Sequence, residues 1–208
     1  MKLFFWNAAG NKNSTEIANH IHGFNADLIG IVESGINKRA ESTWRSIFTN
    51  YTVEVLPSGM ALITKGEILS KERGSLGGCG RFNLLKVALN GEQFHVLLVD
   101  IDGDPFQSRS PAFEQLATML RAYAQASLIV MGDFNTPLGS VLFESFRQNL
   151  THAFESGGVG FAETWPLPMP VLAIDHIWVS KNIKVVSCNL NGSRFSDHRS
   201  VVANIDEN

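Results

Sequence analysis

The apolar segment Ser127–Met131 runs directly into Gly132-Asp133-Phe134-Asn135. A short apolar run followed by these residues predicts a buried strand that ends in polar groups at the rim of a sheet. In an extended backbone, residues two apart share a face, so the side chains of Asp133 and Asn135 are expected to point the same way. Gly132 permits close approach of a neighbouring backbone. The competing interpretation is a Gly-Asp/Asn turn, for which Thr136-Pro137 is also typical.

Other apolar segments also stop at polar residues. Lys2–Trp6 is followed by Asn7, Leu28–Val32 by Glu33 and Phe94–Val99 by Asp100. Such an arrangement places carboxylates and amides at one rim of a rigid frame, where a site can be built. A lone residue such as Asn7 is commonly a turn residue. Glu33 is a stronger candidate, because a carboxylate at the end of a buried strand needs a partner or a cation.

Two Asp-His pairs lie in the second half of the chain. Asp175-His176 opens an apolar run, and Ser196-Asp197-His198 directly precedes another. A single pair of this kind is commonly a satisfied hydrogen bond. Two pairs beside the other carboxylates favour a His–Asp couple, in which a carboxylate orients and charges an imidazole.

The pattern along the chain alternates short apolar runs with longer amphipathic stretches, which is typical of a mixed sheet structure with outer helices. The predicted strands are Lys2–Trp6, Leu28–Val32, Thr52–Leu56, Met60–Thr64, Phe82–Leu89, Phe94–Val99, Ser127–Met131, Ile174–Val179, Val185–Leu190 and Val201–Ile205. Helices are predicted from Asn13 to about Phe24, from Asn37 to Phe48, from Pro111 to Ala124 and from Ser140 to Gln148. The glycine-rich segment Gly66–Gly80 and the proline-rich segment Gly157–Pro170 are predicted to be long loops.

The composition is that of an ordinary globular protein, with 44% hydrophobic and 18% charged residues among 208. We predict that residues 1–208 form one domain, since no composition break divides them. No apolar run approaches the roughly 20 residues needed to span a bilayer. Cys79 and Cys188 provide neither a disulfide framework nor a metal-binding cluster, so the default expectation is a reduced, cytoplasmic setting. We further expect a monomer without a membrane anchor.

Charge is distributed unevenly. Residues 1–90 carry a net charge of +3 and residues 91–208 a net charge of −6. This balance argues mildly against non-specific binding of long nucleic acid. The segment Lys65–Arg81 contains four basic and two acidic residues. Contact with a phosphate backbone and a solvated loop are both open there, and the sequence favours the solvated loop.

The candidate donors indicate which cation the site would take. Apart from histidine, all of them offer oxygen, and neither cysteine lies near these motifs. Hard oxygen ligands with few carboxylates suit Mg²⁺ or Mn²⁺ better than structural zinc. Mg²⁺ keeps several waters and takes ligands from substrate phosphate, so one or two protein carboxylates suffice.

Taken together, the segments resemble the endonuclease/exonuclease/phosphatase superfamily, also called the DNase I-like fold. The resemblance runs in order along nearly the whole chain, through Phe5-Trp6-Asn7, Ile31-Val32-Glu33, Ser58–Ile63, Gly132–Pro137, Ile174–Ser180 and Ser196–Val202. It implies an α/β protein built as a four-layer α/β/β/α sandwich of two mixed β-sheets with outer helices. It also implies hydrolysis of a phosphate ester, with nucleic acid, nucleotide, lipid and sugar phosphates all open as substrates.

The resemblance further implies roles for particular residues. Glu33 would be a direct metal ligand, with Asn7 close by and Asp197 contributing directly or through water.

On the catalytic side, Asp133 would orient or deprotonate the attacking water, and Asn135 would hold a phosphate oxygen. His198, oriented by Asp175, would stabilise charge on the phosphate or act in proton transfer.

The chain departs from the family pattern after the predicted strand Phe94–Val99. The family usually carries a His or a Tyr there, whereas this chain has Asp100-Ile101-Asp102-Gly103-Asp104. This acidic cluster is compatible with a further metal ion or with weakened catalysis. A non-catalytic member acting as a binding module is therefore the second hypothesis, and an unrelated α/β protein is the third.

Overall fold

A computed structural model of the chain describes residues 1–10, 13–36 and 38–207. The strands are β1 (Lys2–Asn7), β2 (Leu28–Val32), β3 (Thr52–Val55), β4 (Ala61–Thr64), β5 (Glu67–Ser75), β6 (Gly80–Leu89), β7 (Glu92–Ile101), β8 (Leu128–Asp133), β9 (Leu150–His152), β10 (Asp175–Ser180), β11 (Ile183–Asn191) and β12 (Ser200–Glu207). The α-helices are α1 (Ser14–His22), α2 (Lys38–Ile47), α3 (Ser110–Ala122), α4 (Glu144–Asn149) and α5 (Ala153–Gly157). Short 3₁₀ turns span Pro57–Gly59 and Val141–Phe143.

The strands form two six-stranded sheets. Their orders are β11-β12-β1-β2-β4-β3 and β5-β6-β7-β8-β10-β9. Each sheet contains one parallel pair, β1 with β2 in the first and β7 with β8 in the second, within otherwise antiparallel pairing. Both sheets are therefore mixed, as the sequence predicts.

Three apolar clusters hold the layers together. The central cluster joins the inner faces of the two sheets and includes Phe5, Leu98 and Met131. A second cluster packs α3 and α4 on the outer face of the second sheet, and a third packs α1 and α2 on the first sheet. The order helix, sheet, sheet, helix confirms the four-layer α/β/β/α sandwich.

The largest error in the predicted secondary structure concerns the segment Gly66–Gly80. It contains β5, which pairs with β6 and lies at the edge of the second sheet. Most of the β5 residues are exposed, so its sequence lacks the apolar alternation that marks a strand. Charged side chains are a common means of keeping an edge strand from pairing with other chains.

The other differences between the predicted and the observed elements are smaller. β7 is longer than predicted and reaches Ile101, β9 has no counterpart in the prediction, and the helix predicted over Ser140–Gln148 is a 3₁₀ turn followed by α4. The predicted start of the second helix, Asn37, lies outside the described residues. No helix among the described residues is both long enough and apolar enough to cross a lipid bilayer.

Gly132 is required where β8 pairs with β7. A Cβ at this position would lie 2.3 Å from the carbonyl oxygen of Val99 and 2.8 Å from its Cβ. Because the nearest atom is backbone, a flexible side chain cannot relieve the clash. We expect Gly132→Ala to lower the free energy of unfolding by about 1–3 kcal/mol, as overpacking of a core does. Urea denaturation followed by circular dichroism measures the effect.

Gly139→Ala is the matched control, because a Cβ there would have no neighbour within 4 Å. Its denaturation midpoint should stay near that of the wild type. Equal midpoints for both variants would contradict the close approach of β7 and β8.

Candidate active site

Four charged residues form a row across the second sheet. In the strand register, Arg81 on β6 is opposite Asp100 on β7, Asp100 is opposite Asp133 on β8, and Asp133 is opposite Asp175 on β10. Directly opposed residues on adjacent strands place their side chains on the same face of a sheet. Asp100 follows Leu98 by two positions, and Leu98 lies in the core between the sheets. The row therefore faces the gap between the two sheets, at one end of it.

Asn7 and Glu33 reach the same end of the gap from the first sheet. Asn7 is the last residue of β1, and its Nδ2 donates to Glu33 Oε1 (3.0 Å) and to Asp133 Oδ2 (2.9 Å). Its Oδ1 accepts a hydrogen bond from the backbone N–H of Ala9 (2.8 Å). Asn7 is therefore a turn residue and also links the carboxylates of the two sheets.

The backbone at Glu33 is strained. Its φ is +46°, in the left-handed region that non-glycine residues rarely adopt. The Glu33 carbonyl accepts a hydrogen bond from Gly10 N (2.8 Å), and the following Ser34 N donates to Gly59 O (2.7 Å). Two neighbouring loops therefore hold the turn that brings the Glu33 carboxylate to the open edge of the site. Strain held by surrounding structure is common at functional sites.

Asn135 reaches the site by a route different from the predicted one. β8 ends at Asp133, and Asn135 has a φ of +45°, so the backbone is not extended between them. Instead, Asn135 N donates to Asp133 Oδ1 (2.9 Å), which is the hydrogen bond of an Asx turn. Asn135 Nδ2 also donates to Ile101 O (2.7 Å), so the end of β7 fixes the amide. The prediction from an extended backbone was wrong in its geometry, and the turn interpretation describes this segment.

Asp175 and His198 form a buried pair. His198 Nδ1 lies 2.9 Å from Asp175 Oδ2 and 4.0 Å from Asp133 Oδ2. The two Asp-His sequences therefore contribute one residue each to a single couple. His176 lies elsewhere, with its ring nitrogens 3.2 Å from His152 Nε2 and 3.4 Å from Thr136 O.

Backbone contacts fix the position of His198. Its N–H donates to Ser196 Oγ (3.0 Å), Ser196 Oγ donates to Asn7 O (2.8 Å), and Trp6 Nε1 donates to His198 O (3.0 Å). The segment before β12 is thereby tied to the end of β1. The roles of Trp6 and Ser196 in positioning His198 were not predicted from the sequence, because both contacts join parts of the chain almost 200 residues apart.

Asp197 lies at the exposed side of the imidazole. Its Oδ1 is 3.9 Å from His198 Nε2, and its Oδ2 accepts a hydrogen bond from Trp165 Nε1 (2.8 Å). Its carbonyl accepts a hydrogen bond from Leu167 N (2.7 Å). The proline-rich loop predicted over Gly157–Pro170 thus forms one wall of the site.

The charges of these groups shift one another's pKa. Burial opposes the charged form of His198, but the hydrogen bond to Asp175 and the charges of Asp175, Asp133 and Asp197 raise its pKa to about 9. Burial, together with the negative charge of Asp175, raises the pKa of Asp133 well above its usual value. Burial and the nearby charge of Glu33 raise the pKa of Asp100 to about 7, against the lowering effect of Arg81.

The site has the chemistry of a cation-binding site. Ligand atoms of Asp133, Asp175 and His198 lie within 4.8 Å of one another, and all three residues are buried. Asp175 Oδ1 is buried without a hydrogen-bond partner among the described residues. A buried oxygen within a group of carboxylates is costly unless positive charge offsets it, and the His198 ring supplies part of that charge. With Glu33 beside them, these oxygen donors fit a hard divalent cation.

Arg81 belongs to the row but was not among the predicted site residues, and Asp100 was considered only as part of an acidic cluster compatible with a further metal ion. Both come next to apolar runs, so the signal that found Glu33 and Asp133 was present in the sequence. Their positions in the row with Asp133 depend on strand order and register, which a polar residue next to an apolar run does not reveal.

Two facing mixed sheets, outer helices and a polar site at one end of the gap between the sheets define the class of DNase I-like sandwiches. The sequence matches the family described as Endonuclease/Exonuclease/phosphatase family over residues 4–198. The chain therefore belongs to the endonuclease/exonuclease/phosphatase family, whose members are hydrolases of phosphate esters.

Solved structures share this fold at low sequence identity. A protein of unknown function from Enterococcus faecalis is 17% identical, with a TM-score of 0.82 and full coverage of both chains. The human Nocturnin catalytic domain with bound sulfate is 18% identical, with a TM-score of 0.80 over 99% of this chain and 94% of that one. A mannosyl-6-phosphatase from Bacteroides thetaiotaomicron is 14% identical, with a TM-score of 0.77 over 99% of each chain. At these identities the likeness concerns the fold alone. No curated protein matches the sequence significantly.

Proposed function

We propose that the chain is a divalent-metal-dependent phosphoric ester hydrolase that uses Mg²⁺ or Mn²⁺. The observation that carries this proposal is the bridge from Asn7 to the carboxylates of Glu33 and Asp133, which brings residues of both sheets to one point. The fold also supports it, since a solved structure of the same architecture is a mannosyl-6-phosphatase.

Glu33 is the proposed direct ligand of the cation, and Asp197 contributes directly or through water. The family resemblance implies that Asn7 belongs to the metal site, close to Glu33. Asn7 Nδ2 positions the Glu33 carboxylate, and Asn7 Oδ1 keeps a second lone pair for the cation beside the hydrogen bond that it accepts from Ala9. When bound, the cation offsets charge on the phosphate oxygens.

Asp133 is the proposed base. A carboxylate with a raised pKa is a stronger proton acceptor than an ordinary one, and Asn7 and Asn135 fix both oxygens of Asp133. As the water oxygen bonds to phosphorus and the ester P–O bond breaks on the opposite side, Asp133 accepts the proton of the water. Asn135 uses the N–H of its amide that Ile101 does not engage to hold a phosphate oxygen.

His198 is the proposed positive charge at the phosphate. Its Nδ1–H donates to Asp175, and its pKa of about 9 keeps the ring charged at neutral pH. Its Nε2 makes no hydrogen bond to the described residues and is the atom that would donate to a phosphate or leaving-group oxygen. Fixed donors aimed at developing charge are a major source of catalysis.

An assay on the purified protein tests this proposal. The substrates are an aryl phosphodiester, an aryl phosphomonoester, a sugar phosphate, abasic-site DNA and linear and supercoiled DNA, each with Mg²⁺ or Mn²⁺ and with EDTA. We expect turnover of at least one substrate, its loss in EDTA and its recovery when excess Mg²⁺ is added. Turnover that persists in EDTA would contradict the assignment of the site.

A non-catalytic binding module is the second candidate. The observation that favours it is Asp100, which lies beside Asp133 where the family usually has a His or a Tyr. Metal binding without turnover of any of these substrates would support this second function and overturn the first.

A further inference from the structure

A groove opens between the edges of the two sheets, next to the proposed active site. Its outer part has a volume of about 410 Å³ and lies between β3 and β5, where Glu54 and Lys71 form an ion pair across the gap. Its inner part, of about 330 Å³, is lined by Pro57, Ser58, Arg73, Arg81 and their neighbours. The two parts share Pro57, Arg73 and Asn83, so they form one continuous groove.

The groove begins beside Glu33, on the same side of the sheets as the row that contains Asp133. Gly59, at the end of the 3₁₀ turn that forms one wall, accepts the hydrogen bond from Ser34 N, and the site of its missing Cβ is 3.7 Å from Glu33 Cα. On the opposite wall, Arg81 is the first member of the row that continues to Asp133. A substrate that reacts at Asp133 therefore has a direct path into the groove.

Arg73 and Arg81 are the charged residues of the inner part, which has no acidic lining residue. Arg73 is opposite Asn83 in the β5–β6 register, so Arg73 and Arg81 are diagonal neighbours on one face. The backbones of such diagonal neighbours are roughly 7–8 Å apart. Neither guanidinium donates a hydrogen bond or forms an ion pair within the part of the chain that the structure describes. By contrast, Arg45, Arg109, Arg121, Arg147, Arg194 and Arg199 each donate a hydrogen bond.

The two neighbouring positive charges over one groove repel each other, and the Asp100 carboxylate opposite Arg81 offsets this repulsion only on the Arg81 side. A phosphate between them would remove this repulsion, and guanidinium groups bind phosphate through paired hydrogen bonds. β5 is three strands away from β8, so the backbones at Arg73 and Asp133 are separated by roughly 14 Å in the direction across the strands. At that distance a phosphate that reacts at Asp133 does not reach Arg73, so the anion at Arg73 belongs to another part of the substrate.

The geometry points to a second phosphate subsite formed by Arg73 with Arg81, so that the enzyme prefers phosphate esters carrying a second, non-reacting phosphate. This inference rests on the proposed hydrolase function and adds the substrate class to it. Arg73 is the residue that sets this preference. A nucleotide and a sugar can both supply such a pair of phosphates, and the groove requires only the second anion.

Paired ligands test the subsite by calorimetry in Mg²⁺. Thymidine 3′,5′-bisphosphate is compared with thymidine 5′-monophosphate, and fructose 1,6-bisphosphate with fructose 6-phosphate. We expect at least about 10-fold tighter binding of the bisphosphate in at least one pair, the size of effect that charge-assisted hydrogen bonds produce. The pair that shows the preference identifies the source of the second phosphate.

Variants assign the preference to Arg73. In Arg73→Ala the ratio of the two dissociation constants should fall to about 1, whereas Arg73→Lys should retain part of it because it keeps the charge. Arg121→Ala removes an exposed arginine on α3, away from the groove, and should retain the full ratio. Thermal melting of each variant checks that it is folded.

The same variants are then assayed for turnover of the p-nitrophenyl ester of thymidine 5′-phosphate with and without a 3′-phosphate. The wild type should prefer the 3′-phosphorylated ester in kcat/KM, and Arg73→Ala should lose that preference mainly through KM. Equal binding within both ligand pairs, or an unchanged ratio in Arg73→Ala, would overturn the subsite. Turnover without the preference would overturn the subsite alone, whereas a binding preference without turnover of any substrate in either assay would overturn the hydrolase function alone.

Discussion

Asp133→Asn is expected to lower kcat/KM by at least about 100-fold, because it removes the proposed base. The substitution keeps the size of the side chain and one acceptor for Asn7 or Asn135, so the surrounding loops should keep their conformation. Initial rates in saturating Mg²⁺, measured on the substrate found in the EDTA assay, provide the comparison. Asp206→Asn, at an exposed position on β12, is the control and should retain wild-type activity.

Thermal melting separates this loss from unfolding. The pKa of Asp133 is raised in the folded protein, so at neutral pH the ionised carboxylate is disfavoured on folding and costs stability. Asparagine lacks that charge, and the melting temperature of the variant in EDTA should equal or exceed that of the wild type. A large fall in melting temperature together with the lost activity would contradict the account, and so would full activity in Asp133→Asn.

His198→Ala is the second substitution with a large expected effect, again a loss of at least about 100-fold in kcat/KM. The ring is the group that carries positive charge beside the proposed phosphate position, and its pKa of about 9 keeps it charged at neutral pH. Steady-state kinetics should show the loss mainly in kcat. His22→Gln changes an exposed histidine on α1 and is the control.

Asp175→Asn tests the same role through the pH profile. Asp175 raises the pKa of His198 by its hydrogen bond and its charge, so the variant should have a lower His198 pKa. Activity that requires the charged ring is lost as pH rises through that pKa. The alkaline limb of the profile should therefore move to lower pH by about one unit or more, the scale of a neighbouring opposite charge. An unchanged alkaline limb would exclude His198 as the group that titrates there.

The fold was predictable because its decisive strands are buried on both faces. β2 is a continuous apolar run with five buried residues, and β8 is equally buried, so each stands out in the sequence. The polar residues Asn7, Glu33 and Asp133, at the ends of β1, β2 and β8, were predicted to lie at one rim of the frame. β5 carries no such pattern, because solvent covers most of its residues and only pairing with β6 makes it a strand.

For the candidate site, the sequence predicted which residues come together better than how they are arranged. Asp175 and His198 each stand in an Asp-His pair, yet the hydrogen bond joins one member of each pair across 23 residues. The left-handed backbone at Asn135 contradicts the prediction that the strand stays extended as far as this residue. The row from Arg81 to Asp175 depends on the order and register of four strands. Local sequence does not encode these relations, because they arise only when distant segments pack together.

The most direct test of the central claim is the position of the cation. Crystals grown with Mn²⁺ give an anomalous scattering signal that locates the ion without reference to activity. We expect one strong peak at the end of the gap between the sheets, within coordination distance of a Glu33 carboxylate oxygen and beside Asp133. A peak elsewhere on the molecule, or a fully occupied ion that does not contact Glu33, would contradict it.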